Sequence, residues 1–118
     1  MKKGIFLVLT VCALFALDCN NPANMLEANQ CAKIRLEDAD IELNVVYKKL
    51  MRYLDKDAKA KLREAQRAWI KYRDKSAEFA ASLAGGRVAA LYYTNEKARI
   101  TQQRVRELKA LLKELQSM

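Results

Sequence analysis

Carboxylates and guanidinium groups are the chemistry-bearing side chains that this sequence places at tight spacing. Glu37, Asp38, Asp40 and Glu42 fall within 37–42, and Arg67, Arg73 and Asp74 fall within 67–74 beside Trp69. Paired acids that work on a glycosidic bond must flank a cleft from opposite sides. Acids crowded into one stretch do not, and the rest of a catalytic kit is missing. The chain has no histidine, no glycine-rich phosphate loop and no serine in a nucleophile motif. These residue types point to binding rather than turnover, so no enzyme is expected. The acidic cluster either meets a cationic partner or forms a solvated face paired locally with Arg35 and nearby lysines.

The thiols narrow the setting. Lys2 and Lys3 precede Ile5 to Ala16, a run apolar apart from Thr10, which has the length of a signal-peptide core and falls short of a bilayer span. Cleavage after Ala16 gives a leader of 1–16 and one helical domain of 17–118, periplasmic or secreted, with no stable membrane insertion afterwards. A lipid anchor through Cys19 is disfavoured, because Asp18 stands where a small residue is needed. Of the three cysteines, Cys12 leaves with the leader, and Cys19 and Cys31 remain as an even pair in an oxidising compartment. The pair is expected to be bonded, which stabilises a small fold by about 2 to 4 kcal/mol. Two free thiols are the alternative. With two thiols and no histidine, neither a metal nor another cofactor is expected.

Without Lys2 and Lys3, the 22 basic residues become 20 against 14 acidic ones, a net +6. The first third of the domain is close to neutral and the surplus lies in 57–118. Export argues against nucleic acid as the partner. It leaves an anionic envelope polymer, lipid head groups or an acidic protein, or a merely solvated basic surface.

The elements that must position these groups follow from the breakers. Past the leader there is one proline, Pro22, and one glycine pair, Gly85 and Gly86, so long unbroken stretches lie between them. Asn21 can cap and Pro22 can start a first helix from Ala23 to about Tyr53, with Leu36, Ala39, Leu43, Val46, Leu50 and Tyr53 on one face. The weaker phase near Cys31 suggests a separate first turn stapled by the disulfide. A second helix starts near Asp57 and repeats the rhythm through Leu62, Ala65, Trp69, Tyr72, Ser76, Phe79 and Leu83, closing at Gly85. A third runs from about Val88 to Gln116 with Leu91, Ala98, Thr101, Val105, Leu108, Leu112 and Leu115 in phase. Short connections make neighbours antiparallel. The expected fold is all-α, an antiparallel up-down-up three-helix bundle with long helices whose apolar stripes meet along a common axis. An intermolecular coiled coil fits the repeat too, but the tight turns favour packing within the chain.

Asp40, Asn44, Gln66, Arg67, Arg73, Asp74, Thr101 and Arg104 lie on or beside those stripes, where a polar group needs a partner. Asp40, Asn44, Arg73, Asp74 and Arg104 are expected to tie helices together through the planar fork of arginine. Trp69 reads as a core anchor. Arg87, Tyr92 and Tyr93 follow the glycine turn, and an exposed tyrosine there suits contact with a partner, as do Glu37, Asp38 and Glu42.

Two motifs carry a resemblance. Asp40, Leu43, Asn44, Tyr47 and Leu50 read AD-x-x-LN-x-x-Y-x-x-L, and Ala65 to Asp74 read AQRAWIKYRD, followed by Thr101-x-x-Arg104-x-x-x-Leu108. Together, from Cys19 to about Leu108, they resemble the bacterial secreted domain of the lysozyme inhibitor LprI type. The resemblance implies an exported, non-enzymatic binding protein whose partner is a protein such as lysozyme; the alternative is a cell-envelope interaction module for an anionic polymer or an acidic protein. It also implies a second cysteine pair in many relatives, whose positions here hold Ala77 and Glu96. Because many lysozymes are basic, a +6 inhibitor would have to present its acidic cluster.

Overall fold

A computed structural model describes residues 17–118, so the expected leader, Cys12 included, lies outside the described residues. Three long helices account for nearly all of them: α1 (Met25–Met51), α2 (Lys56–Ala84) and α3 (Ala89–Gln116), with a short 3-10 turn at Gly86–Val88. There is no strand among the described residues. The fold is an all-α antiparallel bundle of helices with 27, 29 and 28 residues, each about 40 Å long at 1.5 Å per residue.

Local chemistry sets each boundary. α1 is capped by Asn24 rather than Asn21. The Asn24 side chain accepts from Glu27 N at 2.9 Å while Glu27 Oε2 accepts from Ala23 N at 2.6 Å. That reciprocal pattern resembles a capping box and outcompetes a proline start, leaving Pro22 ahead of the helix. No separate first helical turn forms. A turn closed by Asn21 N donating to Asp18 O precedes one continuous α1, and the Cys19–Cys31 disulfide ties that turn to the buried side of α1. α2 is capped by Asp55, not Asp57, through Ala58 N at 2.8 Å. It stops at Ala84 because Gly85 takes φ 61°, and Gly86 repeats that value, which lets the chain reverse.

α3 is the middle of the molecule. It packs along both α1 and α2, whereas α1 and α2 barely touch. The main core joins Leu43, Val46 and Leu50 of α1 to Val105, Leu108 and Leu112 of α3, with Leu54, Leu62, Trp69 and Leu115 packed against it. Of the stripes expected for α1 and α3, Ala39, Leu43, Val46, Leu50, Ala98, Thr101, Val105, Leu108 and Leu112 are buried and Leu36, Leu91 and Leu115 are half-buried, while Tyr53 lies past the end of α1 and is exposed. Ile100, one step out of phase, is also buried because α3 covers two neighbours.

The α2 face differs from the expected one. Ala77 is its one fully buried residue, while Tyr72, Phe79 and Leu83 are 61%, 65% and 71% exposed. Leu62, Trp69 and Ser76 of the expected stripe do face inward, but Gln66, Arg73, Ala77 and Ala80, each one residue or so along, take the inward places expected of Ala65, Tyr72 and Phe79. Small residues at Ala77, Ala80 and Ala84 let α2 sit close to α3, and a hydrogen-bonded Arg73 turns inward where a tyrosine had been expected. The bundle is therefore open between α1 and α2 instead of closed around one axis.

Candidate functional site

Asp40 of the first motif and Gln66, Arg73 and Asp74 of the second are joined by hydrogen bonds and ion pairs that reach all three helices. Arg73, its side chain 12% exposed, reaches Asp40 of α1 at 3.4 Å and its neighbour Asp74 at 3.0 Å. Lys97 of α3 joins the same Asp74 oxygen at 3.6 Å. Two turns along, Arg104 of α3 donates to Gln66 at 3.1 Å and to Glu107 at 3.1 Å. The indole of Trp69 lies between the two guanidinium groups, with Arg73 at 5.1 Å and Arg104 at 6.0 Å from the ring centroid. Planar cations against an aromatic face are attracted by its quadrupole. One set of side chains thus links all three helices, and no buried side-chain polar atom is left without a partner among the described residues.

Asn44 departs from its expected role. It is exposed and makes no hydrogen bond across the helices; its side chain instead lines a cleft. That cleft, about 540 Å³ and open to solvent, lies between α1 and α2. Asp40, Leu43, Asn44 and Tyr47 form the α1 wall, and Arg63, Gln66, Arg67, Trp69, Ile70 and Arg73 form the α2 wall. Both sequence motifs therefore face the same space. Trp69 packs against the core yet stays partly exposed here, so it is both core support and cleft wall. Sequence reading missed Arg63. The signal was its spacing of four from Arg67, which puts the two on one helix face.

The acidic residues expected to meet a partner are divided by the structure. Glu42 is held by Lys109 of α3, Glu37 stands 4.0 Å from Lys33, and Asp38 is exposed with no ion-pair partner among the described residues. Tyr92 is 50% exposed, Tyr93 is partly covered with Lys97 lying 5.6 Å over its ring, and Arg87 is exposed. A hydrogen bond from Arg35 of α1 to Asn95 of α3 brings these two groups to the same half of the bundle. Beside them Glu96 is hydrogen-bonded by Arg99, which holds its carboxyl below the usual range against the opposing effect of burial and raises the guanidinium of Arg99. No group of side chains suited to a metal ion occurs among the described residues.

A family model described as lysozyme inhibitor LprI matches residues 19–108, the span that contains the disulfide, both motifs and the cleft. The chain belongs to the LprI family. An uncharacterized protein of Rhizobium meliloti (strain 1021) is 34% identical over 109 residues, which cover 80% of this chain and 78% of that protein. No solved structure matches the chain. Ala77 and Glu96, the places implied for the second cysteine pair of LprI relatives, fall on α2 and α3, which pack directly on each other. At the level of the family, the chain is an inhibitor-like binding protein with a protein partner. The family and the disulfide point to an extracytoplasmic location. No described helix is long and apolar enough to cross a membrane.

Proposed function

We propose that this chain is an exported, non-enzymatic binding protein that inhibits a lysozyme, acting in the periplasm or outside the cell. Membership in the LprI family over 19–108 carries the proposal. The contact surface comprises Glu37 and Asp38 on α1, Arg87 in the 3-10 turn and Tyr92 and Tyr93 at the start of α3, in the half of the bundle where Arg35 of α1 meets Asn95 of α3. Its acids suit a basic enzyme, whose approach to a protein with a surplus of positive charge needs a local surface of the opposite sign. The exposed Tyr92, and the uncovered part of Tyr93, add apolar area with a hydroxyl that can hydrogen-bond, a combination enriched in protein interfaces.

Muramidase activity measured against rising concentrations of the oxidised 17–118 domain tests this. Inhibition should appear for at least one lysozyme class and weaken by about a hundredfold or more when Glu37 and Asp38 are both changed to Gln, since each charge-assisted contact contributes roughly 1.5 to 3 kcal/mol. Unchanged rates across several lysozyme classes eliminate inhibition.

A further inference from the structure

None of Glu37, Asp38, Arg87, Tyr92 and Tyr93 lines the cleft between α1 and α2, and its chemistry is different. Arg63 and Arg67 are exposed, line it from one face of α2, and pair with no acid among the described residues. Gln66 uses its carbonyl oxygen to accept from Arg104, which leaves its amide NH2 to donate. Asn44 faces the same space with no protein partner among the described residues. The one acid on the walls, Asp40, is engaged by Arg73. The cleft is thus rich in donors and poor in acceptors, with Tyr47 and Trp69 offering apolar area beside the donors.

A ligand complementary to this arrangement supplies acceptors of negative charge together with an apolar group. Carboxylates match the planar arginine fork, and backbone carbonyls match side-chain amides. We propose that the α1–α2 cleft is a binding site for an acidic peptide segment of a protein partner, with Arg63 and Arg67 taking its carboxylates, Gln66 and Asn44 its backbone carbonyls, and Trp69 and Tyr47 an apolar side chain. The site is independent of lysozyme inhibition. At about 540 Å³ and open to solvent, it has room for a few residues of an extended chain.

Trp69 is the one tryptophan of the chain, so its emission reports on the cleft directly. The oxidised domain is titrated with a short synthetic glutamate-rich peptide carrying one central leucine, and with the same peptide bearing glutamines. The acidic peptide should give a saturable change that the glutamine peptide does not. The double variant Arg63→Gln/Arg67→Gln should bind about tenfold more weakly or less, with an unchanged helical circular dichroism spectrum. Arg106→Gln/Lys113→Gln, which removes the same charge from α3 outside the cleft, should bind like the wild type. Asn44→Asp, which places an acid in the cleft, should weaken binding too. The proposal is overturned by no saturable response, by equal binding of the glutamine peptide, or by equal weakening in both double variants. Binding to phosphatidylglycerol vesicles that survives Arg63→Gln/Arg67→Gln, without any response to the peptide, also overturns it. Retained muramidase inhibition by Arg63→Gln/Arg67→Gln is expected and separates this site from the inhibitory one.

Discussion

Arg73 shows how one side chain can serve several helices. Its guanidinium meets Asp40, Asp74 and the face of Trp69, so removing it leaves Asp74 with Lys97 and uncovers the indole. Arg73→Ala should destabilise the fold by about 2 to 3 kcal/mol, because a mostly buried cation is lost along with its packing. Asp40→Ala should cost less than about 1 kcal/mol, since that carboxylate is nearly half exposed. Urea unfolding of the two variants checks the order, and an equal loss in both would contradict it. At Glu96 the sign of the pH effect can be worked out. Its carboxyl is lowered below the ordinary 4.5 by Arg99, so the stabilisation is present above 4.5 and is lost as pH falls through the lower folded value. Unfolding midpoints compared near neutral pH and near pH 3 should therefore fall further for the wild type than for Glu96→Gln.

At the scale of helices, α2 separates two readings of one periodicity. Phe79 and Leu108 both belong to an apolar repeat, but Phe79 is 65% exposed and Leu108 is fully buried. Leu108→Ala should cost about 2 to 5 kcal/mol, and Phe79→Ala less than about 0.5 kcal/mol, as read by thermal or urea unfolding. Helix existence and order, and the end of α2 at Gly85, were legible from the breakers, but the two starts were not: Asn21 and Asp57 look as good in sequence as the true caps Asn24 and Asp55, and only the hydrogen bonds to Glu27 N and Ala58 N decide between them. The faces of α1 and α3 were legible because aliphatic residues mark them without competition. On α2 two stripes one residue apart compete, one with large apolar side chains and one with alanines, Gln66 and Arg73. The alanine stripe prevails because close helix approach and a satisfied arginine are tertiary effects that periodicity does not register. For the same reason the cleft was not legible: its residues were read as ties across a closed core, and only the parting of α1 from α2 exposes Asn44, Arg63 and Arg67 as neighbours.

At the scale of the whole molecule, a central α3 with α1 and α2 on either side gives a small rigid frame with unlike surfaces: an acidic and tyrosine-bearing half, and a donor-rich cleft. On the proposed reading such a frame acts by occupying a partner, one molecule at a time, with no covalent change in either. Stoichiometry is therefore the most direct measure of its role. A fixed amount of lysozyme is titrated with the oxidised 17–118 domain while heat of binding and residual muramidase rate are followed in parallel. Binding heat and inhibition should saturate together near one equivalent, with full activity recovered when the two are separated. No heat and no inhibition, or inactivation by far less than one equivalent that persists after separation, would contradict a stoichiometric binding protein.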